Sequence, residues 1–121
     1  MNTNLLTPDC IVLGLGMVYK GFNSLILRTL FINPSEEQKL KYKTVCSLMK
    51  ILYQAIQIGE QYRAIYKKGK DYVKENIVDT NLPESFGHGI DVFLVNSAIE
   101  LSEKSKKVVE KGDIILLKIC L

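Results

Sequence analysis

The single histidine, His88, stands between Gly87 and Gly89, with Glu84 and Asp91 close by in the chain. A glycine-flanked imidazole could shuttle a proton or ligate a metal. Either role needs company: a metal centre takes three or more protein ligands, and a nucleophilic triad needs a placed nucleophile. There is no second histidine, and Ser24, Ser47, Ser85, Ser97, Ser102 and Ser105 lack the glycines of a nucleophile elbow. The acidic pairs Glu36-Glu37 and Asp71/Glu75 suit a helix start and a solvated helix face. The expectation is a protein with no catalytic residue, no metal-ligand set and no cofactor.

One further stretch imitates a cofactor loop. Ile11-Val12-Leu13-Gly14-Leu15-Gly16 reads as a strand entering Gly-x-Gly, but Tyr19 stands where a dinucleotide fingerprint needs its third glycine. No acidic residue follows at the required distance, so the motif is rejected.

Two surfaces could bind a partner. Arg63, Lys67, Lys70 and Lys74 recur at i, i+4, i+7 and i+11, one basic stripe if the chain is helical there. Tyr62, Tyr66 and Tyr72 lie beside it, and phosphates with stacked bases are the ligands such a pattern suits. Glu60, Asp71 and Glu75 are interleaved and a formal net charge of +3 is small, so the stripe is expected first to be a solvated face, next to meet an acidic protein or lipid headgroups, and last to meet nucleic acid. The second surface is the apolar C-terminal run, where Ile114, Ile115, Leu117 and Ile119 must be buried within the protein or against another chain.

These residues have to be positioned by elements, and the pattern favours helices. Ser35 with Gln38 three residues on forms a capping box, and Glu36 and Glu37 occupy the positive end of the helix dipole. Leu40, Leu48, Ile51, Ala55, Ile58, Tyr62 and Ile65 then step by three and four, predicting one long central helix over 35–68, with a bend allowed at Gly59. Thr7-Pro8-Asp9 reads as a helix start, and an apolar helix is predicted over 8–31 despite Gly14, Gly16 and Gly21. A third helix is expected over 90–111, where Glu100/Lys104 and Glu103/Lys107 are charge partners four apart. Asp79–Pro83 is turn chemistry. Asp113–Leu121 stays open between two readings: β-branched residues and brevity suit a strand, Asp113 as N-cap suits a short helix, and with no partner strand visible the helix is favoured.

The fold class expected is therefore all-α: one single helical domain over 1–121, a small antiparallel bundle of three to four helices. Its function would be that of a non-enzymatic helical interaction module or small subunit, burying apolar surface against a protein partner or a second copy. An alternative places residues 11–32 in or on a bilayer, with Lys20 and Arg28 then costing several kcal/mol at depth (about 3 each by insertion scales). A second alternative is a bundle that holds a small apolar ligand between its helices. Cys10, Cys46 and Cys120 are odd in number and widely spaced, which suits buried thiols in the cytoplasm or another reducing intracellular compartment. No signal peptide is legible at Met1-Asn2-Thr3-Asn4.

Overall fold

Lys20 and Gly21 decide the first element. Both take positive φ, 49° and 85°, the paired left-handed positions of a two-residue type I′ turn. Such a turn twists with its flanking strands, so the chain folds back as a hairpin. Strand β1 (Cys10–Tyr19) pairs antiparallel with β2 (Phe22–Phe31), in unbroken register from Tyr19↔Phe22 to Cys10↔Phe31. The helix expected over 8–31 is thus corrected to a two-stranded sheet. An apolar run without polar alternation carries no clear period, and the glycines that were costs in a helix were the better signal.

The computed structural model describes residues 9–77, 81–92 and 96–120, with the side chains of 96 and 97 set aside. The expected helix start at Thr7-Pro8, residues 79 and 80 of the expected turn, positions 93–95 of the expected third helix and Leu121 lie outside these. Among the described residues the order of elements is β1, β2, α1 (Glu36–Ala55), α2 (Tyr62–Asn76), β3 (Ser85–Gly89), β4 (Asn96–Ser102) and β5 (Ile115–Leu117).

The capping box at Ser35 forms as its spacing predicts. Ser35 Oγ accepts from Gln38 N (3.2 Å) and Gln38 Oε1 accepts from Ser35 N (2.8 Å). The single long rod does not. Helix α1 ends with Ile56 in an extended conformation, and Gly59 turns the chain at φ 93°. What replaces continued helix is pairing with a distant segment. Gly59 N donates to Val109 O (2.9 Å), Val109 N to Glu60 O (2.8 Å) and Tyr62 N to Lys107 O (3.2 Å). Leu48, Ala55, Tyr62 and Ile65 face the same core from both sides of the break, whereas Leu40 and Ile58 of the expected stripe are exposed.

The helix expected over 90–111 and the short helix after Asp113 are corrected as well. Strands β4 and β5 flank β3 on either side in an antiparallel sheet of order β4-β3-β5. The missing partner for the β-branched C-terminal run was β3, hidden in the glycine-rich stretch Ser85–Gly89. The architecture is α/β rather than an all-α bundle.

The core lies between the helices and this sheet. Leu48, Leu52, Tyr62, Ile65, Phe86 and Leu101 are fully buried there, with Tyr66, Val73, Ile99 and Val109 nearly so. Gly69 sits in the middle of α2 because Phe86 and Leu52 press on it. A Cβ at that position would come within 2.8 Å of the Phe86 ring and 2.9 Å of Leu52. Beyond the core, the Tyr62 hydroxyl donates to Asp113 Oδ2 (2.7 Å), which also accepts from Glu110 N (2.9 Å). Burial, then this bond to a carboxylate, pushes the Tyr62 phenol well above its ordinary value.

Two stability predictions follow from this packing. Gly69→Ala should lower stability by about 1–2 kcal/mol, because overpacking outweighs the roughly 1 kcal/mol that alanine gains in a helix. Urea unfolding measures it, and a stabilised variant would show the space to be free. Tyr62→Phe should cost about 1–2 kcal/mol at neutral pH. Folded and unfolded chains both hold the phenol proton below about pH 10, so the bond contributes fully there. As pH rises further the unfolded chain ionises first and stability falls. Unfolding midpoints at about pH 8 and pH 10.5 should show a smaller alkaline loss in Tyr62→Phe than in the parent chain.

Candidate functional site

Strand β3 brings the only histidine into a structured surface. His88 is half-buried on the central strand, opposite Glu100 of β4 and Leu116 of β5. The pairing of β3 with β4 is irregular on both sides of His88, so the imidazole sits at a bulged point of the sheet. Gly87 precedes it because no other residue fits: a Cβ there would fall on the Leu116 carbonyl oxygen. The loop expected around His88 is therefore a strand, and its glycines serve close backbone approach.

A surface cleft of about 560 Å³ opens over this strand, lined by Pro83, Ser85, Gly87, His88, Ile99, Glu100, Lys118 and Cys120. Its polar groups are largely committed. Ser85 Oγ donates to Gly87 O (2.7 Å) and accepts from Gly87 N (3.1 Å), which ties up the hydroxyl. Glu100 Oε2 accepts from the buried Ser102 hydroxyl (2.9 Å). Lys118, whose backbone N–H donates to Phe86 O (2.9 Å), brings a cation to the same cleft. The arrangement can hold a small charged group between an imidazole, a carboxylate and an ammonium.

The basic stripe falls on α2. Arg63, Lys67 and Lys74 are exposed and Lys70 is half-buried. Lys70 Nζ pairs with Glu103 Oε2 at 2.9 Å, which raises the lysine and lowers the carboxyl from their ordinary values. The tyrosines beside the stripe turn inward: Tyr66 is buried and its hydroxyl donates to Pro83 O (2.9 Å).

Of the C-terminal apolar set, Ile115, Leu117 and Ile119 are half-buried and pack on the core, while Ile114 is 51% exposed. The more open apolar surface is elsewhere, on the hairpin. Leu13, Leu15, Met17 and Tyr19 of β1 share one face with Phe22, Ile26 and Leu30 of β2, all between 48% and 73% exposed. Sequence reasoning placed this surface on a helix and could not see it as a sheet face. The cysteines differ too: Cys10, Cys46 and Cys120 are free and exposed, not buried.

Comparison with known proteins gives these features a setting. The chain is 26% identical over 113 residues to the FACT complex subunit spt16 of Aspergillus fumigatus, covering 92% of this chain and 11% of that protein. It is 25% identical over 111 residues to the Xaa-Pro dipeptidase of Pyrococcus furiosus, covering 91% of this chain and 32% of that one. The chain thus spans about a tenth of the first relative and a third of the second. Among solved structures, the N-terminal domain of FACT complex subunit SPT16 from Eremothecium gossypii superposes with a TM-score of 0.83 at 25% identity, over 90% of this chain and 26% of that one. The prolidase of Pyrococcus furiosus superposes with a TM-score of 0.80 at 25% identity, over 88% and 32%.

These matches overturn the helical readings of function. The sheets place the chain in the α/β, pita-bread-like class, so it is neither a helical interaction module nor an apolar-ligand bundle. Residues 11–32, expected in a bilayer on one reading, cover the hairpin except for Cys10. Among the described residues no helix is long and apolar enough to cross a membrane.

Among the described residues the donors do not fit a metal ion. No group of three or more His, Cys, Asp or Glu side chains among the described residues converges to hold an ion. The hairpin from Cys10 to Phe31 contains no Asp or Glu at all, and Lys118 adds positive charge to the cleft. The profile of metallopeptidase family M24 nevertheless matches residues 1–120, nearly the whole sequence, and on that match the chain belongs to family M24.

Proposed function

We propose that this chain is a non-hydrolytic M24 domain that works through protein contacts, as part of a subunit of a multiprotein complex. The observation that carries the reading is the His88 cleft. A hydrolytic metal site needs at least three ligands and an open position. Here the imidazole, a carboxylate already engaged by Ser102 and the Cys120 thiol line the cleft beside a lysine, and among the described residues no three such donors come together to hold an ion. An ammonium disfavours a divalent cation by the same Coulomb argument that makes a third carboxylate favour it.

The relatives supply the second half of the proposal. Several are named as FACT complex subunits, proteins that by name assemble with others. The open apolar face of the hairpin supports the same behaviour here, since a contiguous patch of this kind is a typical protein-contact surface. The exposed thiols of Cys10, Cys46 and Cys120 favour a reducing intracellular compartment, because an oxidising one would cross-link them.

The reading is tested by loading the purified chain with Mn²⁺, Co²⁺ or Zn²⁺ and assaying an Xaa-Pro dipeptide. The expected result is substoichiometric metal after desalting and no metal-dependent hydrolysis. One tightly held metal per chain, together with hydrolysis abolished by His88→Ala, would replace this proposal with a dipeptidase. For the second half, the tagged chain expressed at its native level should elute in a stable assembly with other polypeptides. Elution solely as a free monomer would count against it.

A further inference from the structure

Helix α2 sets Arg63, Lys67, Lys70 and Lys74 within about 60° of arc, along a line about 16 Å long. The segment that follows β4 runs back beside this edge of the helix. It meets Lys70 through Glu103 and reaches the helix start where Lys107 O accepts from Tyr62 N. Lys104, Lys106 and Lys107 are exposed along it. Seven cations therefore lie on the helix edge and on the segment beside it, which flank one groove, on a chain whose formal net charge is only +3, so the rest of the surface is net negative. Asp71 and Glu75 lie about 70° and 110° around the helix from the middle of the stripe, and of the two Asp71 still acts on Lys70 through its charge.

Glu103 is the one carboxylate at the centre. Lys70 donates to it, and the charges of Lys70, Arg63 and Lys74 together hold its carboxyl below the usual range. The groove is thus already organised around a carboxylate. That side chain is still 62% exposed, against 25% for Lys70, so another carboxylate can displace it. Among the described residues, Lys70 alone of the seven cations has an ion-pair partner.

The neighbouring aromatics narrow the ligand. Tyr62 and Tyr66 are buried with their hydroxyls on Asp113 and on the Pro83 carbonyl, and Tyr72 is half-buried against the core. The stacking platform that a single-stranded nucleic acid uses is absent from this edge. What remains is a row of flexible cations, suited to spaced carboxylates.

We infer that the groove between α2 and residues 103–107 docks a glutamate- and aspartate-rich segment of a partner protein, which takes the place of Glu103 on Lys70. The inference concerns a different face from the His88 cleft and does not depend on whether that cleft is hydrolytic.

The test is fluorescence anisotropy of a fluorescein-labelled oligoglutamate peptide titrated with the full chain. The parent chain should bind, and more weakly as salt screens the contacts. The double substitution Lys67→Glu/Lys74→Glu should weaken binding about tenfold or more. Glu103→Gln, which removes the internal competitor, should tighten it about twofold to fivefold, the size of an exposed ion pair. A charge-matched control on α1, Lys43→Glu/Lys50→Glu, should leave binding nearly unchanged, with circular dichroism verifying the fold of each variant. No binding by the parent chain, an equal loss in the α1 control, or no gain from Glu103→Gln would each overturn the inference. So would tighter binding of a labelled oligonucleotide of equal charge, single- or double-stranded.

Discussion

The fold depends on a glycine in the middle of a helix. Gly69 lets the Phe86 ring come against the backbone of α2, with Leu52 of α1 closing the same space. One contact thereby joins both helices to the central strand of the three-stranded sheet. The residues around it (Tyr62, Ile65, Tyr66 and Val73 on α2, Leu101 on β4) are buried as a consequence. A helix interior ordinarily disfavours glycine by about 1 kcal/mol, and here close packing of an aromatic ring offsets that cost.

A second close approach shapes the surface. Gly87 lies so near the Leu116 carbonyl that β5 can pair with β3 only because residue 87 has no side chain. The pairing fixes His88 across from Glu100 and brings Lys118 to the same cleft. The scaffold thus brings titratable groups to one cleft. Family M24 is a metallopeptidase family by name, and among the described residues no three His, Cys, Asp or Glu side chains come together to hold an ion. A retained fold does not by itself fix the chemistry of its site.

The hairpin is the least supported part of the molecule. A two-stranded sheet is marginal alone, and this one is tied to the rest chiefly at its ends. Asn23 reaches the backbone of Asp91 and Val92, and the Phe31 ring meets Tyr42 edge-on at 5.7 Å. Most of its open apolar residues share one face, with Val12 and Val18 exposed on the other. The solved relatives extend well beyond the matched region, which amounts to 26% of one and 32% of another. An apolar sheet face and a marginal hairpin are both stabilised by protein packed upon them.

Local chemistry by itself determined the start of α1, because a capping box is complete within four residues. It also determined that Lys67, Lys70 and Lys74 share one edge of a helix, since spacing alone sets that. The type I′ signal at Lys20-Gly21 was equally local, but the greasy residues around it fit a helical stripe as readily as two strands. Only tertiary structure decided the remainder. Whether Ile115–Leu117 is a strand depends on β3, which lies far away in sequence and looks like a glycine-rich loop. The break between α1 and α2 is held by Val109, and the neighbours of His88 come from β4 and β5. Strand pairing is a contact between distant segments, and no window of neighbouring residues contains its partner.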